Sequence, residues 1–189
     1  MNFDPNNYNE LTVTESPIPG LFVVKLPVHG DNRGWFKENY QKEKMEALGL
    51  SSFTIVQNNI SFNDKAGTTR GLHAEPWNKF ISTANGRVFG AWCDLRQGDS
   101  FGRVFTHEIN PGTAIFVPKG VANGYQALDN NIAYTYLVDA HWSPDAKYTF
   151  VNLFDPALGI DWPISKDQAI ISEKDAAHPL LNNVIPMEV

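Results

Sequence analysis

Short apolar runs broken by turn residues dominate the chain, and an amphipathic helical stripe is the exception. Runs rich in β-branched and aromatic residues predict strands near Leu21–Leu26, Gly34–Asn39, Phe53–Ser61, Thr69–Ala74, Phe80–Ala84, Arg87–Asp94, Gly102–Glu108, Thr113–Val117, Gly124–Leu128, Ala133–Val138 and Lys147–Val151. A spacing of about 8–12 residues, with a turn signal between neighbours, is the pattern of an all-β sandwich or barrel. Asn85-Gly86, between two such runs, predicts a hairpin. Pro111-Gly112 and Pro118-Lys119-Gly120 place proline and glycine where tight turns want them. One clear helix is expected over Gln41–Leu48, with Gly49 just past its end. A second, short one is expected to begin at Ser172. Pro17 to Pro19 marks the junction between an N-terminal arm (1–16) and a β core (17–164), followed by a C-terminal segment (165–189) in one domain.

Composition narrows the class. The 189 residues, 42% of them hydrophobic, are those of a globular chain able to bury roughly 70% of its unfolded surface. One cysteine forms no internal disulfide and no thiolate zinc site. The longest uninterrupted apolar run, Val88 to Cys93, is far short of the ~20 residues of a membrane span. The polar first residues, MNFDPNNYNE, do not read as a signal peptide, so a cytoplasmic protein is expected. A net charge of −6 argues against a nucleic-acid surface, but leaves room for a phosphorylated small molecule held by a few local cations.

Several residues carry chemistry alongside a plainer reading. In Thr69-Arg70-Gly71-Leu72-His73, strand alternation puts Arg70 and Leu72 on one face and Gly71 and His73 on the other. His73 is then either a general base or a satisfied core histidine beside a glycine bulge. Tyr134 and Tyr136 share a face, as packed phenols or as a source of a general acid. Ser172-Glu173-Lys174-Asp175 fits a capping box, and Asp175 could equally orient a histidine. A turn such as Pro118-Lys119-Gly120 precedes a metal-binding histidine in cupins, whose companion motif is His-x-His then Glu. Here the positions read Asn123 and His73-Ala74-Glu75. An amide is a poor ligand for a transition metal, and the five histidines contain no i, i+2 or i, i+4 pair, so no catalytic metal is expected. Asp31-Asn32-Arg33-Gly34-Trp35-Phe36 sets a cation beside aromatics, a combination that can stack a base and hold phosphates.

Taken in order, these stretches resemble the dTDP-4-dehydrorhamnose 3,5-epimerases. The resemblance rests on Asp31-Asn32-Arg33-Gly34-Trp35-Phe36-Lys37-Glu38, Gln57-Asn58-Asn59-Ile60-Ser61, Arg70-Gly71-Leu72-His73 and Asp94-Leu95-Arg96. It continues through Phe116-Val117-Pro118-Lys119-Gly120, Ala133-Tyr134-Thr135-Tyr136, Asp155-Pro156, Ile160-Asp161-Trp162-Pro163 and Ser172-Glu173-Lys174-Asp175. The match runs from about Ile18 to Leu180.

The resemblance implies a cupin-type double-stranded β-helix, or jelly roll, that works as a homodimer exchanging N-terminal strands and needs no metal or organic cofactor. It makes His73 the base, Asp175 its partner carboxylate, Tyr136 the acid on the opposite face of the sugar and Lys79 the cation near the 4-keto oxygen. By the same matching, Arg33, Phe36, Glu38, Gln57, Asn59 and Arg70 bind the nucleotide, diphosphate or sugar, with Asn123 and Lys174 also at the substrate. The expected reaction converts dTDP-4-keto-6-deoxyglucose by inversion at C3 and C5, ahead of a dTDP-4-dehydrorhamnose reductase to which such domains are sometimes fused. Many family members carry histidine where this chain has Asn123. A mono-epimerase acting at one carbon is therefore the nearest rival, followed by a non-catalytic nucleotide-sugar-binding cupin and a metal-dependent cupin enzyme.

Overall fold

In the computed structural model, which describes residues 3–189, the predicted runs become strands of two antiparallel sheets and of one separate hairpin. Met1 and Asn2, where the expected arm begins, lie outside the described residues. The first sheet has six strands in the order β1 (Thr12–Glu15), β2 (Phe22–Lys25), β10 (Thr113–Val117), β7 (Lys79–Asn85), β12 (Ile132–Val138) and β5 (Gln57–Asn63). The second has five: β13 (Thr149–Phe150), β6 (Thr69–Ala74), β11 (Val121–Ala127), β8 (Val88–Asp94) and β9 (Val104–Ile109). A separate hairpin pairs β3 (Val28–Asp31) with β4 (Gly34–Lys37). Two short helices complete the elements used below, α1 (Lys42–Ala47) and α2 (Glu173–Ala176).

Three apolar layers hold this jelly roll together. Between the sheets, Ile81, Ile115, Val117, Ile132 and Tyr134 of the first meet Val88, Trp92, Ile109, Val121 and Tyr125 of the second. The outer face of the six-stranded sheet (Val24, Phe80, Ala114, Phe116) is covered by Met45 of α1 and by Leu50 and Phe53. The outer face of the five-stranded sheet (Leu72, Ala91, Cys93, Ala122) is covered by Val151, Leu153, Leu158 and Met187 of the chain's last stretch. Both faces of the central strands are therefore dry. That explains why β10 is buried at all five positions and reads as a continuous apolar run rather than an alternation.

The helix predictions are met. Gln41 caps α1, its side chain accepting from Lys44 N–H at 2.7 Å, and Gly49 follows the helix at φ +96°. The Asn85-Gly86 hairpin is not met. β7 pairs with β10 and β12, whereas β8 pairs with β11 and β9, so the turn carries the chain from one sheet to the other. Asn-Gly supplies a positive φ, +76° at Gly86, wherever the chain must reverse, and does not specify which strands then pair. The run expected at Phe53–Ser61 starts as a strand only at Gln57, because Phe53 is used as a plug under α1. Strands β1 and β3 are additions within and beyond the expected arm. Their sequences, TVTE and VHGD, hold too few apolar positions to show a period.

Candidate active site

The site grows out of a fault in the pairing of β6 with β11. Arg70 stands opposite Tyr125 and His73 opposite Asn123, so Gly71 and Leu72 together face Gly124 alone. This bulge corrects the simple alternation expected for the strand. Arg70 and His73 both line one cavity of about 270 Å³ between the sheets, while Leu72 points into the outer core. Glycine is required where the two backbones close up, because a Cβ on Gly124 would lie 2.7 Å from Arg70 O.

His73 forms one wall of that cavity together with Asp175. Nε2 of His73 lies 3.0 Å from Asp175 Oδ1, and Oδ2 accepts from Gly71 N–H at 3.2 Å. Burial pushes the Asp175 carboxyl up, but the His73 hydrogen bond and charge and the Gly71 N–H outweigh it and hold the group below the usual carboxylate range. A carboxylate there makes Nε2 the protonated nitrogen and leaves Nδ1 as the basic one. Phe150 meets the ring edge-on at 5.4 Å and limits its rotation.

Half of the capping box expected at Ser172–Asp175 is present, and the contact with a histidine is present too. Ser172 Oγ accepts from Asp175 N–H at 3.1 Å and caps α2, whereas the Asp175 side chain leaves the capping box for His73.

Lys79 and Tyr136 face this dyad from the six-stranded sheet, on the neighbouring strands β7 and β12. Lys79 Nζ donates to Asn123 Oδ1 at 2.7 Å, pairs with Glu75 Oε1 and sits 5.7 Å above the Tyr136 ring. Burial, reinforced by the nearby Glu75 and Tyr125, raises the Tyr136 phenol above its ordinary range, so it keeps its proton at neutral pH. The site thus has a base on one sheet, and a cation and a proton donor on the other. Such a cavity can take a proton from one face of a small molecule, stabilise an oxyanion and return a proton from the far side.

The remaining expected residues fall in three places. Arg70 lines the cavity and donates to Asn63 Oδ1 at 3.1 Å, and Asn123 also lines it. Gln57 and Asn59, hydrogen-bonded to each other at 2.7 Å, line an adjoining cavity of about 140 Å³ that shares Glu75 and Tyr136 with the first. Lys174 is not in either lining and lies 5.6 Å over the Phe150 ring. Arg33, Phe36 and Glu38 are not brought to His73 within the single chain. They belong to the β3–β4 hairpin and the residue after it, with Arg33 paired to Asp31 at 2.5 Å, Glu38 to Lys44 at 2.6 Å and Phe36 65% exposed.

Glu75 in the cavity and His178 beside it are given no role in the sequence reading. Glu75 stands two positions after His73, the strand interval that returns a side chain to the same side, and that spacing could have found it. His178 follows Asp175 by three and sits beside His73 at 5.2 Å between rings, stacked on Phe150 at 4.7 Å. Burial and the neighbouring His73 hold its pKa down. His73, Asp175 and His178 offer ligand atoms within 4.8 Å of one another, a grouping that histidine spacing alone does not foresee.

Comparison with known proteins agrees with this geometry. The family model described as dTDP-4-dehydrorhamnose 3,5-epimerase matches residues 15–183. A Streptococcus pyogenes protein called RmlC homolog is 50% identical over 178 residues, which are 90% of this chain and 89% of that one. The dTDP-4-dehydrorhamnose 3,5-epimerase of Salmonella typhimurium is 30% identical over 185 residues, 94% of this chain and 100% of its own. The solved structure of RmlC from Streptococcus suis in complex with dTDP-D-xylose superposes with a TM-score of 0.90 at 48% identity over 95% of each chain. That of the Legionella pneumophila enzyme in complex with dTDP-4-keto-L-rhamnose gives 0.83 at 30% identity, over 92% of this chain and 94% of that one. With a jelly roll of this construction and a family match over most of its length, the chain belongs to the dTDP-4-dehydrorhamnose 3,5-epimerase family.

Proposed function

We propose that the chain is an isomerase that converts dTDP-4-keto-6-deoxyglucose to dTDP-4-keto-L-rhamnose by inverting C3 and C5. The observation that carries this reading is the His73–Asp175 pair on one wall of a cavity whose other wall holds Lys79 and Tyr136. A hydrogen next to a ketone becomes acidic when the enolate oxygen is stabilised, and the Lys79 ammonium is the group placed to do so. His73 Nδ1 takes the proton, and the C–H electron pair moves into the new C=C bond as the carbonyl pair moves onto the C4 oxygen. Asp175 stabilises the imidazolium that forms. Tyr136 then delivers a proton to the opposite face, the C4 carbonyl re-forms, and exchange with water resets both groups. Because C3 and C5 flank the same carbonyl, one constellation serves both centres. No step in this reading calls on a metal or an organic cofactor.

Arg70, Gln57 and Asn59 are assigned to the nucleotide sugar. Arg33, Phe36 and Glu38 fit the same role only across a homodimer, where the projecting β3–β4 hairpin of one subunit reaches the cavity of the other. The exposed Trp35 and Phe36 support that reading. A cytoplasmic location beside a dTDP-4-dehydrorhamnose reductase belongs to it too; among the described residues no helix is long and apolar enough to cross a membrane. The rival mono-epimerase is favoured by one feature, the amide of Asn123, which cannot carry a proton. Trapping the product with a dTDP-4-dehydrorhamnose reductase and identifying the sugar decides between them. dTDP-L-rhamnose supports double inversion, a sugar inverted at one carbon establishes the rival, and unchanged substrate overturns the epimerase reading.

A further inference from the structure

Glu75 lies in the cavity, yet the mechanism above gives it nothing to do. Its side chain is 11% exposed and lines both the main cavity and the adjoining one. Oε1 pairs with Lys79, while Oε2 is shut off from water and has no hydrogen-bond partner. A carboxylate oxygen only accepts, and one buried without a donor is costly. The donor missing from the free protein is therefore one that a ligand would bring. The terminal torsion of a glutamate is soft, so the carboxylate can turn toward that ligand while staying against Lys79.

Lys79 narrows the choice of donor. An ammonium has three N–H groups, and here one goes to Glu75 and one to Asn123 Oδ1 at 2.7 Å, leaving a single N–H to spend on substrate. The Glu75–Lys79 pair thus presents one donor beside one acceptor. An α-hydroxy ketone carries the complementary pair on adjacent atoms, a carbonyl that accepts and a hydroxyl that donates. In a 4-keto-6-deoxyhexose the C3 side of the carbonyl bears a hydroxyl, whereas the C5 side bears a methyl group and the ring oxygen, neither of them a donor.

We propose that Glu75 is a specificity-determining residue that accepts a hydrogen bond from the C3 hydroxyl, so that the Glu75–Lys79 pair reads the hydroxy-ketone and fixes which flank of the carbonyl lies beside it. This inference rests on the epimerase reading above and names the part of the sugar that this side of the cavity recognises. Asn123 acquires a role as well, since its amide oxygen holds Lys79 in line, which needs no proton shuttle.

The test compares dTDP-4-keto-6-deoxyglucose with its 3-deoxy analogue, reading deuterium incorporation at C5, which both possess. Wild-type protein is expected to favour the hydroxylated substrate at least tenfold in kcat/KM, as a site built around a substrate hydroxyl does. Glu75→Gln and Glu75→Met are expected to lose at least tenfold with the hydroxylated substrate and less than threefold beyond any shared loss with the analogue. A disturbance of Lys79 alone would lower both substrates alike, and that outcome overturns the proposal. So does a wild-type protein indifferent to the hydroxyl, a result that needs no variant to fold. The same selectivity is read in Kd by calorimetry on both compounds. Wild-type protein that binds the hydroxylated sugar selectively but exchanges neither its C3 nor its C5 proton therefore refutes the epimerase reading while sustaining the Glu75 contact.

Discussion

Replacing Asp175 by asparagine keeps the shape of the site and removes only a charge and an acceptor. The carboxylate now accepts twice, from His73 and from Gly71 N–H. An asparagine oxygen that stays with Gly71 turns its NH2 toward His73 Nε2, which must then be the lone-pair nitrogen. The ring proton moves to Nδ1 and the base is lost. Flipped, the asparagine satisfies His73 but sets its NH2 against the Gly71 N–H, leaving a buried donor unpaired at about 1–3 kcal/mol. In either arrangement the imidazolium also loses a charged partner, about 1.5–3 kcal/mol more. The sum, about 2.5–6 kcal/mol, corresponds to a fall in kcat of roughly 10²- to 10⁴-fold, since each 1.36 kcal/mol is a factor of ten. The assay is the rate of C3 and C5 deuterium exchange at saturating substrate, with calorimetry on dTDP for binding. A loss below tenfold, or a loss confined to Kd, would refute the assigned role of the dyad.

Tyr136→Phe should slow inversion more than proton exchange, because removal and return use different groups; equal loss of both, read by product trapping and by NMR, removes Tyr136 from the acid role. Burial pushes the Lys37 amine down to about 8, its Nζ donating to Thr83 O at 2.9 Å. The folded state therefore disfavours the charged form, a cost of about 3 kcal/mol at most that is present below pH 8 and is relieved as pH rises toward the ordinary lysine value. Lys37→Met should be more stable than wild type at pH 7, and the gap in denaturant midpoint should close by pH 10; a constant gap contradicts the burial argument. Gly124→Ala forces a Cβ to 2.7 Å from Arg70 O and 2.9 Å from Leu72 Cδ2, so a loss of about 2 kcal/mol or more is expected by denaturant unfolding, with activity falling as the bulge shifts. Dialysis against a chelator should leave turnover unchanged. Loss of activity restored by zinc would instead put His73, Asp175 and His178 to work as a metal centre.

Much of the architecture was legible because the central strand β10 is dry on both faces and stands in the sequence as a compact apolar run with the bounds it has in the fold. β6 also keeps its expected bounds, although its TRGLHA sequence mixes buried Leu72 with exposed Arg70. Pairing was less legible. A turn such as Asn85-Gly86 shows where the chain reverses, but the choice of partner strand is made by the packing of Ile81 and Trp92 across the core. Several family motifs prove to be structural within the chain. Asp94, fully buried, is held by two side-chain hydrogen bonds from Arg96, at 2.8 and 2.6 Å, and Asp155 caps the turn at Pro156 and accepts from Leu181 N–H at 2.6 Å.

At the site, His73 and Asp175 stand 102 positions apart, and nothing in local pattern joins them. Resemblance pairs them. A glycine bulge beside His73 is one of the readings the sequence offers, but its effect of bringing Arg70 and His73 to one cavity is not, because alternation assumes one residue opposite one. Glu75 is read only as part of a metal motif. The location of Arg33 and Phe36 follows from a hairpin whose few apolar residues show no period and which packs outside the main sheets.

The central claim is that this cavity moves protons at the two carbons flanking a ketone, with His73 as the base. Proton NMR of dTDP-4-keto-6-deoxyglucose in heavy water tests it directly. Wild-type protein should erase the signals at both C3 and C5, and His73→Ala should erase neither while still binding dTDP. Persistence of both signals with wild type, or undiminished exchange with His73→Ala, would contradict the account.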